Sequence, residues 1–276
     1  VHHEYLSKLL MEQLNEEFDG RLTRALQIFN NKYHKPFLYQ LVSGQFDMDR
    51  MDYLARDSFF TGVQEGKVGF NRLLKLLNVH EDQLALEFKG IYSVENFLVA
   101  RRLMYWQVYL HKNVICSGEM LVQLMRRARL LLERGESLHL PSALHYFLSQ
   151  HITKQDLIVR KKEVLNNFYK LDDADLLVAI KELSEHQDPV LYHLGTGLLE
   201  RKLLKIELGD HPIEKNVLSK AKAQLREKYP TLSEADYSYL AIEGKEANNA
   251  YKRGKEEILI FLKDGTARPI SEWKEH

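Results

Sequence analysis

Apolar residues recur at three- and four-residue spacing through most of the chain. The series opens with Leu6, Leu9, Leu10, Leu14 and Phe18, an amphipathic stripe over His3 to Phe18 that Gly20 suits as a stop. The same spacing predicts helices over 22–29, 36–44 with Pro36 in the first turn, 47–60 ahead of Gly62, and 68–77. Alternation at Leu84, Leu86 and Phe88 permits a short strand. From Ser93 to Arg134 the only Gly or Pro is Gly118, which predicts one long helix or two nearly collinear ones. Gly135 and Pro141 mark a loop, and helices follow over 142–149, 154–169, 172–183 and 189–203. Beyond Leu204 the texture changes. A strand over Leu204–Leu208, a helix over Ile213–Tyr229, and a hairpin of 257–262 with 267–270 around Asp264-Gly265 are expected there. The fold class is therefore mainly α, with a smaller α+β C-terminal region.

The whole-chain figures change this picture little. A chain of 276 residues, 45% hydrophobic and 28% charged, can bury a substantial core. Thirty-nine basic side chains balance thirty-nine acidic ones, so net charge indicates neither nucleic acid nor a membrane surface as partner. The lone Cys116 sits in an apolar helical pattern and reads as a core residue of a protein kept in a reducing, cytoplasmic setting. Neither a membrane-spanning apolar run nor a secretion signal is recognisable.

Chemistry concentrates in two places. Between Asp47 and Asp57 lie four carboxylates, Arg50, Arg56 and Tyr53, and on a helix Asp49, Tyr53 and Asp57 share one face with Arg50 at its edge. Such a face offers a hard oxygen ligand, a cation for phosphate and a hydroxyl for a sugar. The pattern by itself fits a solvated, ion-paired helix better. Downstream, Arg101, Tyr105, Tyr109 and Lys112 form a cationic and aromatic stripe suited to a nucleotide, or to an amphipathic helix whose basic residues reach outward over buried rings. His3-Glu4 is a third candidate, open to reading as a helix-start arrangement or as a catalytic pair.

Taken in order, these segments resemble a known family. Asp49-Arg50-Met51-Asp52-Tyr53-Leu54-Ala55-Arg56-Asp57 is similar to the D-[KR]-x-D-Y-x-x-R-D helix of HD-domain deoxynucleoside triphosphate triphosphohydrolases, and Tyr109-Leu110-His111-Lys112 is similar to their Y-x-H-K segment, with Arg101 eight residues upstream. His3-Glu4 resembles the H-E pair that follows the HD motif. The resemblance covers Val1 to about Arg134. It divides the chain into 1–134, the C-terminal portion of an HD phosphohydrolase domain; 135–203, a helical extension; and 204–276, an α+β region with the hairpin near 257–270.

Carried over residue by residue, the resemblance implies Asp49 as a metal ligand and Arg50 as a triphosphate contact. Tyr53 and Asp57 fall beside the deoxyribose, Arg101, Tyr109 and Lys112 along phosphate and sugar, and His3 becomes a catalytic histidine assisted by Glu4. The implied cofactor is a divalent metal ion (Mn, Mg, Fe, Ni or Zn), the implied substrate a dNTP split into deoxynucleoside and triphosphate, and the implied assembly a homo-oligomer, dimer or tetramer. Arg72 and Lys89 loosely match positions tied to regulatory nucleotides. None of the twelve histidines is followed by Asp, so the HD dipeptide itself is absent. Two explanations stay open: a ligand-bearing stretch ahead of Val1, which the missing initiator Met favours, or a degenerate member that binds without hydrolysing. On either, the chain alone is expected to be inactive. The alternative functions are a nucleotide-binding oligomeric interaction module without turnover and an HD phosphohydrolase of another phosphoester.

Overall fold

A computed structural model of the chain describes residues 3–209, 211–246 and 257–273. It is predominantly helical. In chain order the elements are α1 (His3–Glu17), α2 (Thr23–Phe29), α3 (Pro36–Ser43), α4 (Met48–Thr61), α5 (Phe70–Leu76), β1 (Leu77–His80), β2 (Gln83–Glu87), α6 (Ile91–Met104) and α7 (Lys112–Glu133). Next come α8 (Ser142–Leu148), α9 (Asp156–Val159), α10 (Lys161–Phe168), α11 (Asp173–Ser184), α12 (Pro189–Leu199), α13 (Lys215–Lys228), α14 (Tyr237–Leu240), β3 (Leu259–Phe261) and β4 (Ala267–Pro269).

The helix boundaries have local causes. Asp47, Asp172 and Asp188 each cap a helix by accepting backbone N–H bonds from its first turn, and Asp172 forms a reciprocal box with Asp175. Gly62 ends α4 in the left-handed conformation that a residue without Cβ adopts at no steric cost. Among the described residues no helix is long and apolar enough to cross a membrane.

Packing groups the described residues into two compact units, 3–111 with 257–273 and 112–246. The cut falls at Lys112 rather than at Arg134, and the last described segment belongs with the first unit instead of forming a separate α+β region. The reason is strand pairing. β1 and β2 form an antiparallel hairpin whose two turn residues, Glu81 and Asp82, take left-handed φ of 47° and 59°. β2 then pairs in parallel with β3, and β3 is antiparallel to β4, giving the order β1-β2-β3-β4. Between β3 and β4, Gly265 is left-handed and the Asp264 carboxylate accepts from the Thr266 N–H (3.0 Å) and hydroxyl (2.7 Å).

The first unit is centred on Phe46, Met51, Leu54, Leu73, Leu86, Val94, Phe97, Met104 and Ile260. The second buries Met120, Leu124, Ala128, Leu183, Val190, Leu191 and Leu194 where α7, α11 and α12 meet. One expectation is corrected. Leu204–Leu208 is not a strand: Leu204 packs on the second core, its carbonyl accepting from the Cys116 thiol at 3.2 Å, and no ladder forms. Of the two readings of 93–134, one helix or two, the structure has two, because α6 passes into a π-helical turn at Tyr105–Tyr109 before α7 begins.

Candidate functional site

The site of the first unit is built where α4 meets the end of α6. Gly66, in the 3-10 turn Gln64–Gly66, lets them approach: a Cβ there would stand 2.8 Å from Ser58 Cβ on α4 and 2.7 Å from Met104 Sδ on α6. That close packing fixes α4 against the helix carrying Arg101.

Asp47, 2% exposed, is the cap of α4. Its carboxylate accepts from the Arg50 N–H at 2.7 Å and from the Arg50 guanidinium, which also donates to the Gly44 carbonyl. Burial pushes the Asp47 carboxyl up from its ordinary range, opposed by the Arg50 amide bond and by the charges of Arg50 and Arg101. Arg50, expected on a triphosphate, is thus engaged within its own helix start. Asp49 is exposed beside it.

Further along α4 the structure brings distant residues together. The Tyr109 hydroxyl donates to Asp57 Oδ2 at 2.6 Å across 52 positions of sequence. The Tyr53 ring meets Tyr109 edge-on at 6.1 Å between centroids, and Tyr105 meets Tyr109 edge-on at 5.3 Å. Burial, and then the bond to Asp57, drive the Tyr109 phenol far above its usual range. Burial also raises Tyr53, with the Arg101 charge pulling the other way. Tyr105 and Tyr109 are presented by the π-helical turn, where the Leu110 N–H reaches back to the Tyr105 carbonyl at 2.7 Å. Such turns are frequent at functional sites because they re-aim side chains that a regular helix would hold elsewhere.

Arg101 is 4% exposed, and its Nη1 donates to Gln45 Oε1 at 3.4 Å. Its Nε is buried and has no hydrogen-bond partner among the described residues. The Arg101 charge acts on Tyr53, and a buried guanidinium with an unused donor is an exception to the rule that buried polar groups are paired.

Other expected residues fall elsewhere. His3 and Glu4 are exposed on the first turn of α1, which packs on α2. Lys112 is exposed at the start of α7, in the second unit. Arg72 donates to the Lys89 carbonyl at 3.2 Å, joining two residues loosely associated with regulation by sequence. Gln45 was not singled out in the sequence, and a glutamine in a loop carries no signal for such a role. Asp47 was read as one of four carboxylates at the start of the helix over 47–60, not as its cap or as the anchor of Arg50.

The described residues contain no group of three His, Cys, Asp or Glu side chains able to hold a metal. A divalent ion needs several ligands in defined geometry, and Asp49 supplies one carboxylate, so these residues alone do not fit a complete metal centre.

Comparison with known proteins matches residues 68–137 to the model of the HD associated region. The crystal structure of a phosphohydrolase from Bacteroides thetaiotaomicron VPI-5482 superimposes with a TM-score of 0.93 at 43% identity, covering 99% of this chain and 67% of that one. Among curated proteins, the uncharacterized protein YwfO of Bacillus subtilis (strain 168) is 29% identical over 65% of this chain and 39% of its own length. The deoxynucleoside triphosphate triphosphohydrolase SAMHD1 homolog of Dictyostelium discoideum is 23% identical over 74% of this chain and 44% of its own. Fold and relatives together define a mainly helical protein of the HD class. The chain belongs to the HD-domain phosphohydrolase family. It spans less than half the length of these two curated relatives.

Proposed function

We propose that the chain forms the substrate-holding wall of an HD-type phosphohydrolase that splits a dNTP into deoxynucleoside and triphosphate. The observation that carries this reading is the cluster of Asp57, Tyr109 and Tyr53 beside the buried Arg101 with its unused Nε. A deoxyribose hydroxyl donates to Asp57, the tyrosine edges flank the sugar, and Arg101 and Arg50 face the phosphates, Arg50 by exchanging Asp47 for the ligand. His3 with Glu4 moves a proton, and Asp49 contributes one metal ligand. In the reaction, water oxygen bonds to the α-phosphorus and the bond to the sugar's 5′ oxygen breaks. That oxygen takes up a proton, and triphosphate departs. Developing charge on the departing group is what preorganised guanidinium groups stabilise.

The test is triphosphate release from the four dNTPs by the longest natural form of the protein, with divalent metal. Asp49→Ala and Arg101→Ala should each lower kcat/KM by ~10²-fold or more. Binding of metal with no turnover of any dNTP would reject the reading. An arginine-and-tyrosine wall also holds a nucleotide without cleaving it, and that binding-module reading predicts dNTP-dependent thermal stabilisation in the presence of a chelator with no triphosphate released.

A further inference from the structure

Arg101 reaches the site from α6 with one end of its guanidinium already engaged. What engages it is the loop between α3 and α4, Gly44 to Asp47, and that loop is held along its length. Gly44 lies so close to α3 that a Cβ would stand 2.5 Å from the Gln40 carbonyl oxygen, and its own carbonyl accepts from Arg50. Phe46, 4% exposed, meets the Phe97 ring of α6 edge-on at 4.8 Å between centroids. Asp47 caps α4. Phe97 and Arg101 are one helical turn apart on the same face of α6, so the pinned loop sets Gln45 against Arg101 as it sets Phe46 against Phe97. Gln45 is itself buried, at 7% exposure, and its Oε1 accepts from Arg101 Nη1 at 3.4 Å.

A guanidinium is a rigid planar fork, so holding one end of it aims the other. Gln45 takes the Nη1 end. Nε lies on the opposite edge, the one that meets a carboxylate or phosphate through two parallel N–H bonds, and it is buried without a hydrogen-bond partner among the described residues. The chemistry of the holding group matters equally. A carboxylate in the place of the Gln45 amide would grip harder but cancel the cation, whereas an amide carbonyl orients it and leaves its charge for an anion. We infer that Gln45 is the positioning residue of Arg101, fixing the guanidinium by its Nη1 end so that the Nε edge faces the phosphate groups of the ligand. The role rests on the proposed reading only in placing phosphates at Arg101, not on their being cleaved.

Titration calorimetry on the longest natural form of the protein, with inorganic tripolyphosphate and separately with a deoxynucleoside, tests the role, circular dichroism confirming that each variant is folded. Gln45→Leu should weaken tripolyphosphate binding at least about tenfold and leave the deoxynucleoside within about twofold, since Arg101 answers to phosphate and Asp57 with Tyr109 to sugar. Gln45→Glu keeps an acceptor and the side-chain volume, and should lower tripolyphosphate affinity by a similar factor through charge alone; it carries the test if Gln45→Leu does not fold. In an Arg101→Ala background Gln45→Leu should have no further effect, because nothing is left for it to position. Native tripolyphosphate affinity in folded Gln45→Leu or Gln45→Glu overturns the role. So do losses that multiply with that of Arg101→Ala, an equal loss of both ligands, the mark of a merely structural residue, or a native protein that does not bind tripolyphosphate. Binding that follows the expected pattern without triphosphate release from any dNTP supports the role and rejects the hydrolase reading.

Discussion

At the residue scale, the bond from Tyr109 to Asp57 ties together two segments that carry the family resemblance. Both residues were legible in the sequence, yet their bond was not, because residues 57 and 109 meet only after α4 packs on α6. Tyr109→Phe removes the donor and leaves a half-buried carboxylate short of a partner, which should cost about 1–2 kcal/mol of stability and loosen sugar binding. Burial also gives the tyrosines a pH signature. Tyr53 and Tyr109 hold their protons more tightly folded than unfolded, where a phenol titrates near pH ~10. Their contribution is therefore complete below that pH and is lost as pH rises through the higher folded values. Thermal melts in alkaline buffer should show the melting temperature falling with pH, and falling less steeply in the Tyr53→Phe/Tyr109→Phe double variant. Equal slopes would mean that neither phenol is shielded.

At the element scale, hydrophobic spacing located most helices, while two short-range features escaped it. β1 was not expected: the helix over 68–77 was read as ending on its first residue, Leu77, and four residues directly after α5 carry no alternation long enough to be seen. The π-helical turn at Tyr105–Tyr109 escaped because a hydrogen-bond register widened by one residue over a single turn leaves the three-and-four pattern almost unchanged. Gly66 shows what such local geometry does for the site. It is buried between Ser58 and Met104, and although the Met104 side chain can turn aside, Ser58 Cβ moves only with α4. Gly66→Ala should therefore cost about 1–3 kcal/mol by overpacking and displace α4 from the Arg101 helix. Nucleotide affinity should fall by more than the loss of folded protein explains, as titration calorimetry on the folded fraction would show. Unchanged affinity would place the site's geometry under other control.

At the scale of the whole molecule, the sequence could not show that residues 259–269 return to pair with β2, because the pairing spans over 170 residues and the returning strands, β3 and β4, are three residues long. Nor could it show what secures the second unit. Arg127 on α7, 7% exposed, makes a two-pronged contact with Asp188 at 2.6–3.2 Å and reaches Asp236 at 2.9 Å, with its guanidinium 5.4 Å from the Tyr239 ring. Asp188 also caps α12 and Asp236 precedes α14, so one cation joins three helices. Deleting it leaves two carboxylates with little water to replace the lost partner. Arg127→Ala should destabilise the second unit by about 3–5 kcal/mol, and Asp188→Asn/Asp236→Asn in that background should recover part of the loss. Asp236 adds an acid limit. Burial works against its charge, but bonds from Ser233 and the Arg127 cation prevail and hold its carboxyl below the ordinary range. Its stabilising contribution is present above about pH 4, where the unfolded carboxyl is ionised, and is lost as pH falls through the lower folded value. Urea melts from neutral to acid pH should show this loss in the native chain and a shallower one in Asp236→Asn; parallel curves would mean that Asp236 is not the group that fails.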